Sequence, residues 1–82
     1  MKTDLKELKE LVVAIIANSF AEEGTFEVQN SQGGVEATLT LQEVSDLVEG
    51  CSTQQDLHNL VLKDWMMEDV YVSLDDFVSE FV

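Results

Sequence analysis

The apolar residues near the start of the chain recur at intervals of three and four, which is the period of one face of an α-helix. The positions on this face are Leu5, Leu8, Val12, Ile15, Ile16 and then Ser19 or Phe20. The pattern predicts a helix from Asp4 to about Ala21, with the side chain of Thr3 or Asp4 capping its first amides. Gly24 ends this region.

The second half of this helix, Leu11–Ala17, has no polar residue on any side. A helix that is apolar all round is buried on more than one side. The segment is therefore predicted either to lie inside the fold or to form a contact between two copies of the chain.

Two later runs, Thr25–Gln29 and Val35–Thr40, alternate apolar and polar residues, which is the period of a β-strand. The turn-rich stretch Asn30–Gly34 lies between them, so the runs predict an antiparallel hairpin. The residues expected to face the core are Phe26, Val28, Val35, Ala37 and Leu39. The residues expected to face solvent or a partner are Glu27, Gln29, Glu36 and Thr38.

Two helices are predicted after the hairpin. Thr40 and Glu43 have the spacing of a capping box, and Gly50 is expected to end that helix as a C′ glycine. Ser52 or Thr53 is expected to cap the next one. The apolar residues of the first of these helices are Leu41, Val44, Leu47 and Val48, and those of the second are Leu57, Leu60, Val61 and Trp65.

The last part of the chain contains a short β-prone stretch, Val70–Val72, which would add an edge strand to the hairpin. Ser73 then caps a final helix whose apolar residues are Leu74, Phe77, Val78 and Phe81. The predicted order is helix, strand, strand, helix, helix, short strand, helix. This is an α+β fold in which a small antiparallel sheet is covered by about four helices, and residues 1–82 are predicted to form one compact acidic domain.

The charge of the chain is strongly one-sided. It has 17 aspartate and glutamate residues against four lysines, which gives a net charge of −13. Three lysines and three carboxylates balance within residues 1–10, so the other carboxylates share the single cation Lys63. Such a surface repels nucleic acids and anionic membranes and attracts basic protein surfaces, most strongly at low salt.

Residues able to carry chemistry are few. Cys51 and His58 are the only cysteine and histidine, and no third group accompanies them as a nucleophile pair would require. Asp75 and Asp76 are adjacent instead of alternating as calcium ligands do, and they fit the first turn of a helix. The sequence therefore predicts no enzyme activity, no metal site and no cofactor.

The N-terminus combines lysines with an apolar run, as a secretory leader does. However, Asp4, Glu7 and Glu10 interrupt its basic part, and no convincing cleavage site follows. The uncharged stretch Leu11–Ala21 is too short to span a bilayer. Because a lone cysteine also fits a reducing compartment, the sequence predicts a soluble cytoplasmic protein that does not associate with membranes.

The string Trp65-Met66-Met67 contains residue types that are enriched at protein interfaces. Trp65 also continues the apolar face of the third helix, and we expect it in the core for that reason. Adjacent helical positions point about 100° apart, so at least one of the two methionines is expected to be exposed.

The carboxylates are arranged as clusters of like charge. Asp64 and Glu68, for example, have the spacing of neighbours on one helical face, where each like pair costs about 0.2–0.5 kcal/mol. A surface serving solubility alone would intersperse lysines, so we interpret the clusters as a binding surface. The residues predicted to contact a partner are Glu27, Glu36, Asp64, Glu68, Asp69, Asp75, Asp76 and Glu80.

In size, charge and lack of catalytic groups, the chain resembles small acidic phage-encoded inhibitors, such as anti-CRISPR and anti-restriction proteins. The resemblance is one of composition and carries over no residue roles. It implies an inhibitor or adaptor that docks on a basic protein surface and does not itself bind nucleic acid. Where that surface is a nucleic-acid groove, the carboxylates would take the place of phosphates. The alternative hypothesis is a homo-oligomeric assembly protein that dimerises through residues 11–17.

Overall fold

The computed structural model describes residues 4–21, 23–30 and 32–81. Its first helix, α1 (Leu5–Ile15), begins where the Asp4 carboxylate accepts a hydrogen bond from the Glu7 amide at 2.8 Å. The helix then continues as a wider π-helical segment over Ile16–Phe20. The predicted first helix is therefore confirmed, with a change of helical period in its last part.

The burial of α1 is less complete than its composition suggested. Val12, Ile15 and Ile16 are buried, whereas Ala14 is exposed and Leu11 is half-buried. The segment was expected to be buried on more than one side. Leu11 and Val13 pack partly against the core beside the buried residues, so the burial extends over a broad face of the helix and leaves Ala14 exposed.

The hairpin is confirmed, with β1 (Thr25–Gln29) paired antiparallel to β2 (Val35–Thr40). Asn30 organises the turn, since its Oδ1 accepts hydrogen bonds from the Gln32 and Gly34 amides at 2.9 Å each. Gly33 has φ +84°, which a residue without a Cβ adopts readily. A β-bulge between Val28 and Gln29 shifts the strand register next to this turn.

The core-facing side of the hairpin was predicted correctly for β1 and mostly incorrectly for β2. Phe26 and Val28 are buried and Leu39 is half-buried, but Val35 is 51% exposed and Ala37 is also exposed. The helices pack over β1 and over the end of β2 that leads into the next helix. The rest of β2 forms the outer edge of the fold.

The two helices after the hairpin are α2 (Leu41–Glu49) and α3 (Gln54–Asn59), and α3 continues as a π-helical segment over Leu60–Asp64. Thr40 and Glu43 form the predicted capping box. Thr53 caps α3 by accepting a hydrogen bond from the Asp56 amide at 3.1 Å. Gly50 has φ −72°, so it ends α2 in a right-handed conformation and not as the predicted C′ glycine.

The predicted third strand is absent from the described residues, and the sheet has two strands. A 3₁₀ turn, Met67–Asp69, precedes this stretch, and the Met67 carbonyl accepts hydrogen bonds from the amides of Val70 and Tyr71. These bonds fold the backbone into a tight turn, so it does not extend beside β1. Val70 and Val72 are 72% and 89% exposed, while Tyr71 packs against Phe77 with a ring-centroid separation of 5.2 Å.

The last helix, α4 (Leu74–Phe81), begins where the Ser73 hydroxyl accepts a hydrogen bond from the Asp76 amide at 3.1 Å.

The described residues share one apolar core, and none of their polar or charged side chains is buried in it. All six aromatic residues belong to one chain of ring contacts, in which Phe20 bridges Phe26 of β1 to Phe77 of α4. None of the described helices has the length and apolar character needed to cross a membrane. The observed architecture is thus the predicted small α+β fold, without the extra strand.

Candidate protein-binding site

A groove of about 590 Å³ lies along β1. One wall is formed by Ser19 and Phe20 at the end of the first π-helical segment, and the other by the turn from Trp65 to Val70. Phe26, Glu27 and Gln29 of β1 form the side between these walls. We refer to it below as the β1 groove.

The apolar part of the β1 groove is built on contacts between aromatic rings. Phe26 packs edge-on against Phe20 and Trp65, with ring centroids 6.1 Å and 5.2 Å apart. Phe26 and Trp65 are almost fully buried, whereas Phe20 and Met66 remain half-buried. The groove therefore offers Phe20 and Met66 to a ligand and is held in shape by the residues beneath them.

Met66 has a backbone conformation that is unusual for a residue with a side chain. Its φ of +59° and ψ of +29° are left-handed, and it is the sole non-glycine residue with positive φ in the described part of the chain. A left-handed residue with a Cβ costs about 1–2 kcal/mol. It reverses the chain between Trp65, which is in the core, and the 3₁₀ turn that carries Asp69. The expectation that at least one of the two methionines is exposed is met only in part, because Met66 is half-buried and Met67 is buried.

The structure brings two of the eight predicted partner-binding residues, Glu27 and Asp69, to the β1 groove. Glu68 lies next to Asp69 in the same 3₁₀ turn. All three are exposed, and within the described residues their carboxylates have no hydrogen-bonding or ion-pair partner. Glu23 lies beside Glu27 in a shallower hollow that adjoins this region, so the acidic character extends along β1.

Two of the predicted residues have structural roles inside the chain. Glu36 accepts a hydrogen bond from the Asn30 side chain at 2.8 Å, which ties β2 to the turn. Asp76 accepts one from the Val72 amide at 3.2 Å and thereby supports the start of α4. Asp56 accepts a similar bond from the Ser52 amide at the start of α3. Charge changes at Glu36 or Asp76 would therefore disturb local structure as well as the surface.

The remaining predicted residues lie away from the β1 groove. Asp75 lines a small hollow together with His58, and Asp64 is close enough to Cys51 to raise the pKa of its thiol. Glu80, with Asp76, adds to the effect of burial in raising the pKa of Tyr71. The eight residues are thus distributed over several parts of the surface and do not form one compact patch.

Cys51 is buried, and its thiol donates a hydrogen bond to the backbone. Burial raises the pKa of the Cys51 thiol, an effect that Lys9 opposes and that Asp56 and Asp64 reinforce. The Cys51 sulfur lies 3.5 Å from the Leu47 carbonyl, which accepts its hydrogen bond. In the part of the chain that the structure describes, no three His, Cys, Asp or Glu side chains are grouped so as to hold a metal ion.

Sequence reasoning identified Glu27 and Asp69 from their charge, but it missed Phe20 and Val70 as parts of the same groove. Phe20 was expected on the core-facing side of the first helix, and the π-helical segment places it at the groove wall. Val70 was expected in a strand. Val70 is exposed because the backbone turns at Met67. The alternation of apolar and polar residues in the sequence does not predict this turn.

Comparisons with known proteins add no functional assignment. No protein-family model, curated protein or solved structure matches this chain. The candidate site therefore stands on its own geometry and charge.

Repulsion among the exposed carboxylates predicts that salt will stabilise the isolated protein. We expect the melting temperature to rise between about 10 mM and about 300 mM NaCl, because the screening length falls from about 30 Å to below about 8 Å. Thermal unfolding followed by circular dichroism measures this directly. A melting temperature that falls over this range would show that repulsion between carboxylates does not limit the stability of the fold.

Proposed function

We propose that this protein is a small acidic inhibitor or adaptor that docks on a basic surface of another protein. The observation that carries the proposal is that Glu27 and Asp69 at the groove, and Glu68 beside Asp69, are exposed and have no partner among the described residues. Carboxylates held on regular elements or tight turns keep a fixed spacing, which suits recognition of a fixed set of cations. The net charge of −13 would accelerate the encounter with such a surface.

Nucleic-acid-binding proteins are the class of partner that fits best. Their grooves present lysine and arginine side chains at intervals set by phosphates, and clustered carboxylates can occupy the same positions. In this role the protein would block a nucleic-acid-binding groove without binding nucleic acid itself, as an anti-CRISPR or anti-restriction protein does. No catalytic, metal or cofactor chemistry is needed, and the free Cys51 suits a reducing compartment such as the cytoplasm.

The alternative, a homo-oligomer formed through residues 11–17, has less support in the structure. Val12, Ile15 and Ile16 are buried within the protein's own core, so their apolar surface is already covered. What remains exposed on this segment is chiefly Ala14, which offers little area to a second copy.

The test is a comparison of two charge-reversed double variants. Glu68→Lys with Asp69→Lys reverses the unpaired carboxylates of the 3₁₀ turn. Glu10→Lys with Glu49→Lys makes the same change of charge around a different hollow, where Lys6 and Lys9 also lie. Partners captured by the wild type from a bacterial lysate are identified by mass spectrometry, purified and titrated with each variant.

We expect the first double variant to weaken binding at least tenfold and the control to weaken it less than threefold. Raising NaCl from about 50 mM to about 300 mM should weaken the wild-type complex, because salt screens exposed charges. A DNA or RNA ligand of the partner should compete with the protein. If the wild type and both double variants bind the partner with equal affinity at both salt concentrations, the acidic surface is only solvated and does not contribute to binding.

A further inference from the structure

β1 has a free backbone edge. The described residues contain only one strand neighbour for it, β2, so alternate N–H and C=O groups of Thr25–Gln29 point away from the sheet. Within the same residues, no hydrogen bond joins these groups to any element other than β2. An exposed edge of this kind is a template for a further strand.

The free edge of β1 is accompanied by a groove of suitable size and chemistry. Its volume of about 590 Å³ lies within the range of typical ligand pockets. Beside the edge lie the half-buried Phe20 and Met66 and the exposed Val70, which present apolar surface to a chain lying along β1. Met66, on the opposite wall, has a strained, left-handed backbone. Residues kept in such conformations cluster at binding sites.

The charges around the groove favour a basic ligand. Glu27 lies on the open face of β1, and Asp69 stands on the opposite wall. Both carboxylates are unpaired within the described residues, and the groove lining includes no lysine. Side chains on a strand next to β1 would alternate between the open face, beside Glu27, and the groove, beside Phe20 and Met66.

We propose that the β1 groove binds an extended basic segment of a partner protein, which adds to β1 as a third strand of the sheet. This rests on the proposed function and specifies how the basic partner is held. Backbone hydrogen bonds to β1 supply part of the affinity, and side chains supply the specificity. Cationic residues of the segment pair with Glu27 on the open face, and apolar residues between them enter the groove, with Asp69 at its rim.

A second copy of this protein is a poor occupant of the same edge. In an antiparallel pair of β1 strands centred on Glu27, the two Glu27 side chains would face each other. Like charges directly opposite are destabilising in a sheet, and both molecules carry a net charge of −13. The outer edge of β2 is also free, but its Glu36 is hydrogen-bonded to Asn30.

The first experiment uses the peptide TKVRVKT, capped at both ends, and the full-length protein labelled with ¹⁵N. The peptide alternates cationic and apolar side chains as the proposal requires. Titration followed by NMR is expected to shift amides of β1 and of the Trp65–Val70 turn, and to slow hydrogen exchange of alternate β1 amides. Shifts spread evenly over the acidic surface, or confined to β2, would overturn the proposal.

Two N-methylated forms of the same peptide separate strand pairing from charge attraction. One is methylated on the even-numbered amides and the other on the amides of residues three and five. Because only one set of alternate amides faces β1, we expect one form to bind at least tenfold more weakly than the parent and the other to bind nearly as well. Equal affinities of the two forms would show that the segment does not pair as a strand.

Single charge reversals locate the site. Glu27→Lys and Asp69→Lys should each weaken the parent peptide at least fivefold, whereas the control Glu49→Lys, at an exposed position in the last turn of α2, should change it less than twofold. Equal weakening by all three variants, or no binding of the peptide at about 50 mM NaCl, would overturn the groove assignment. The docking function itself is decided separately by the captured partner and the Glu68/Asp69 variant.

Discussion

Replacing Phe77 by alanine is expected to cost about 3–5 kcal/mol of folding free energy. Phe77 is fully buried and contacts the rings of Phe20, Tyr71 and Phe81, so its removal opens a cavity at the junction of α4 with the end of the first helix. Domains of this size have about 5–15 kcal/mol of total stability. We therefore expect the urea midpoint of the Phe77→Ala protein to fall sharply.

Phe81→Ala is the matched control for this prediction. The same side chain is removed from the same helix, but Phe81 is 37% exposed and its neighbours border solvent. We expect a loss well below that of Phe77→Ala, because water replaces part of the missing ring without leaving an empty cavity. If the two variants unfold at the same urea concentration, the chain of contacts between aromatic rings is not the centre of the core.

Replacing Ile16 by alanine is expected to cost about 2–5 kcal/mol. Ile16 is fully buried at the point where α1 changes into the π-helical segment, and its side chain packs in the core. Leu47→Ala makes a comparable deletion from an α2 side chain that is 44% exposed, and it should cost far less. Chemical unfolding curves of the two variants provide the comparison.

The Ile16 variant also tests the alternative of a dimer through residues 11–17. If that segment were an interface, Ile16→Ala would leave the fold intact and convert a dimer into a monomer in light scattering. We expect instead that both the wild type and the variant are monomers and that only the unfolding curve changes.

The order of the elements could be predicted because each one has a local signal. The α2 cap depends on Thr40 and Glu43 alone, and the structure forms it as expected. The hairpin likewise follows from the alternation of β1 and the turn residues around Gly33. These signals need no knowledge of the rest of the fold.

The errors arose where tertiary contacts decide the outcome. The alternation of Val35 and Ala37 gave no indication that β2 would lie at an uncovered edge. Val70–Val72 has the composition of a strand, but two amides bond to the Met67 carbonyl and Tyr71 is drawn onto Phe77, which leaves the valines exposed. The π-helical segments could not be predicted either, because a pattern of apolar residues interpreted at the α-helical period does not reveal a change of period.

The charge of the candidate site could be predicted from the sequence, but its shape could not. Clusters of carboxylates without lysines led to the prediction that Glu27 and Asp69 contact a partner, whereas nothing in the sequence showed that the two residues border the same groove. One wall of that groove contains Met66 with a left-handed backbone, a conformation that methionine seldom adopts. Conversely, Glu36 and Asp76 carried the same charge signal, and the structure gives both a hydrogen bond within the chain.

The two π-helical segments bear on where the chain can change its length. A π-helical turn closes its hydrogen bonds between residues five apart, so it holds one residue more than the corresponding α-helical turn. Deleting one exposed residue within Ile16–Phe20, such as Asn18, would restore the α-helical period and leave the residues on either side in nearly the same orientation. The same deletion within α2 would turn the following residues by about 100° relative to the helix before them. Single-residue deletions are therefore expected to be tolerated better in these two segments than in the α-helices.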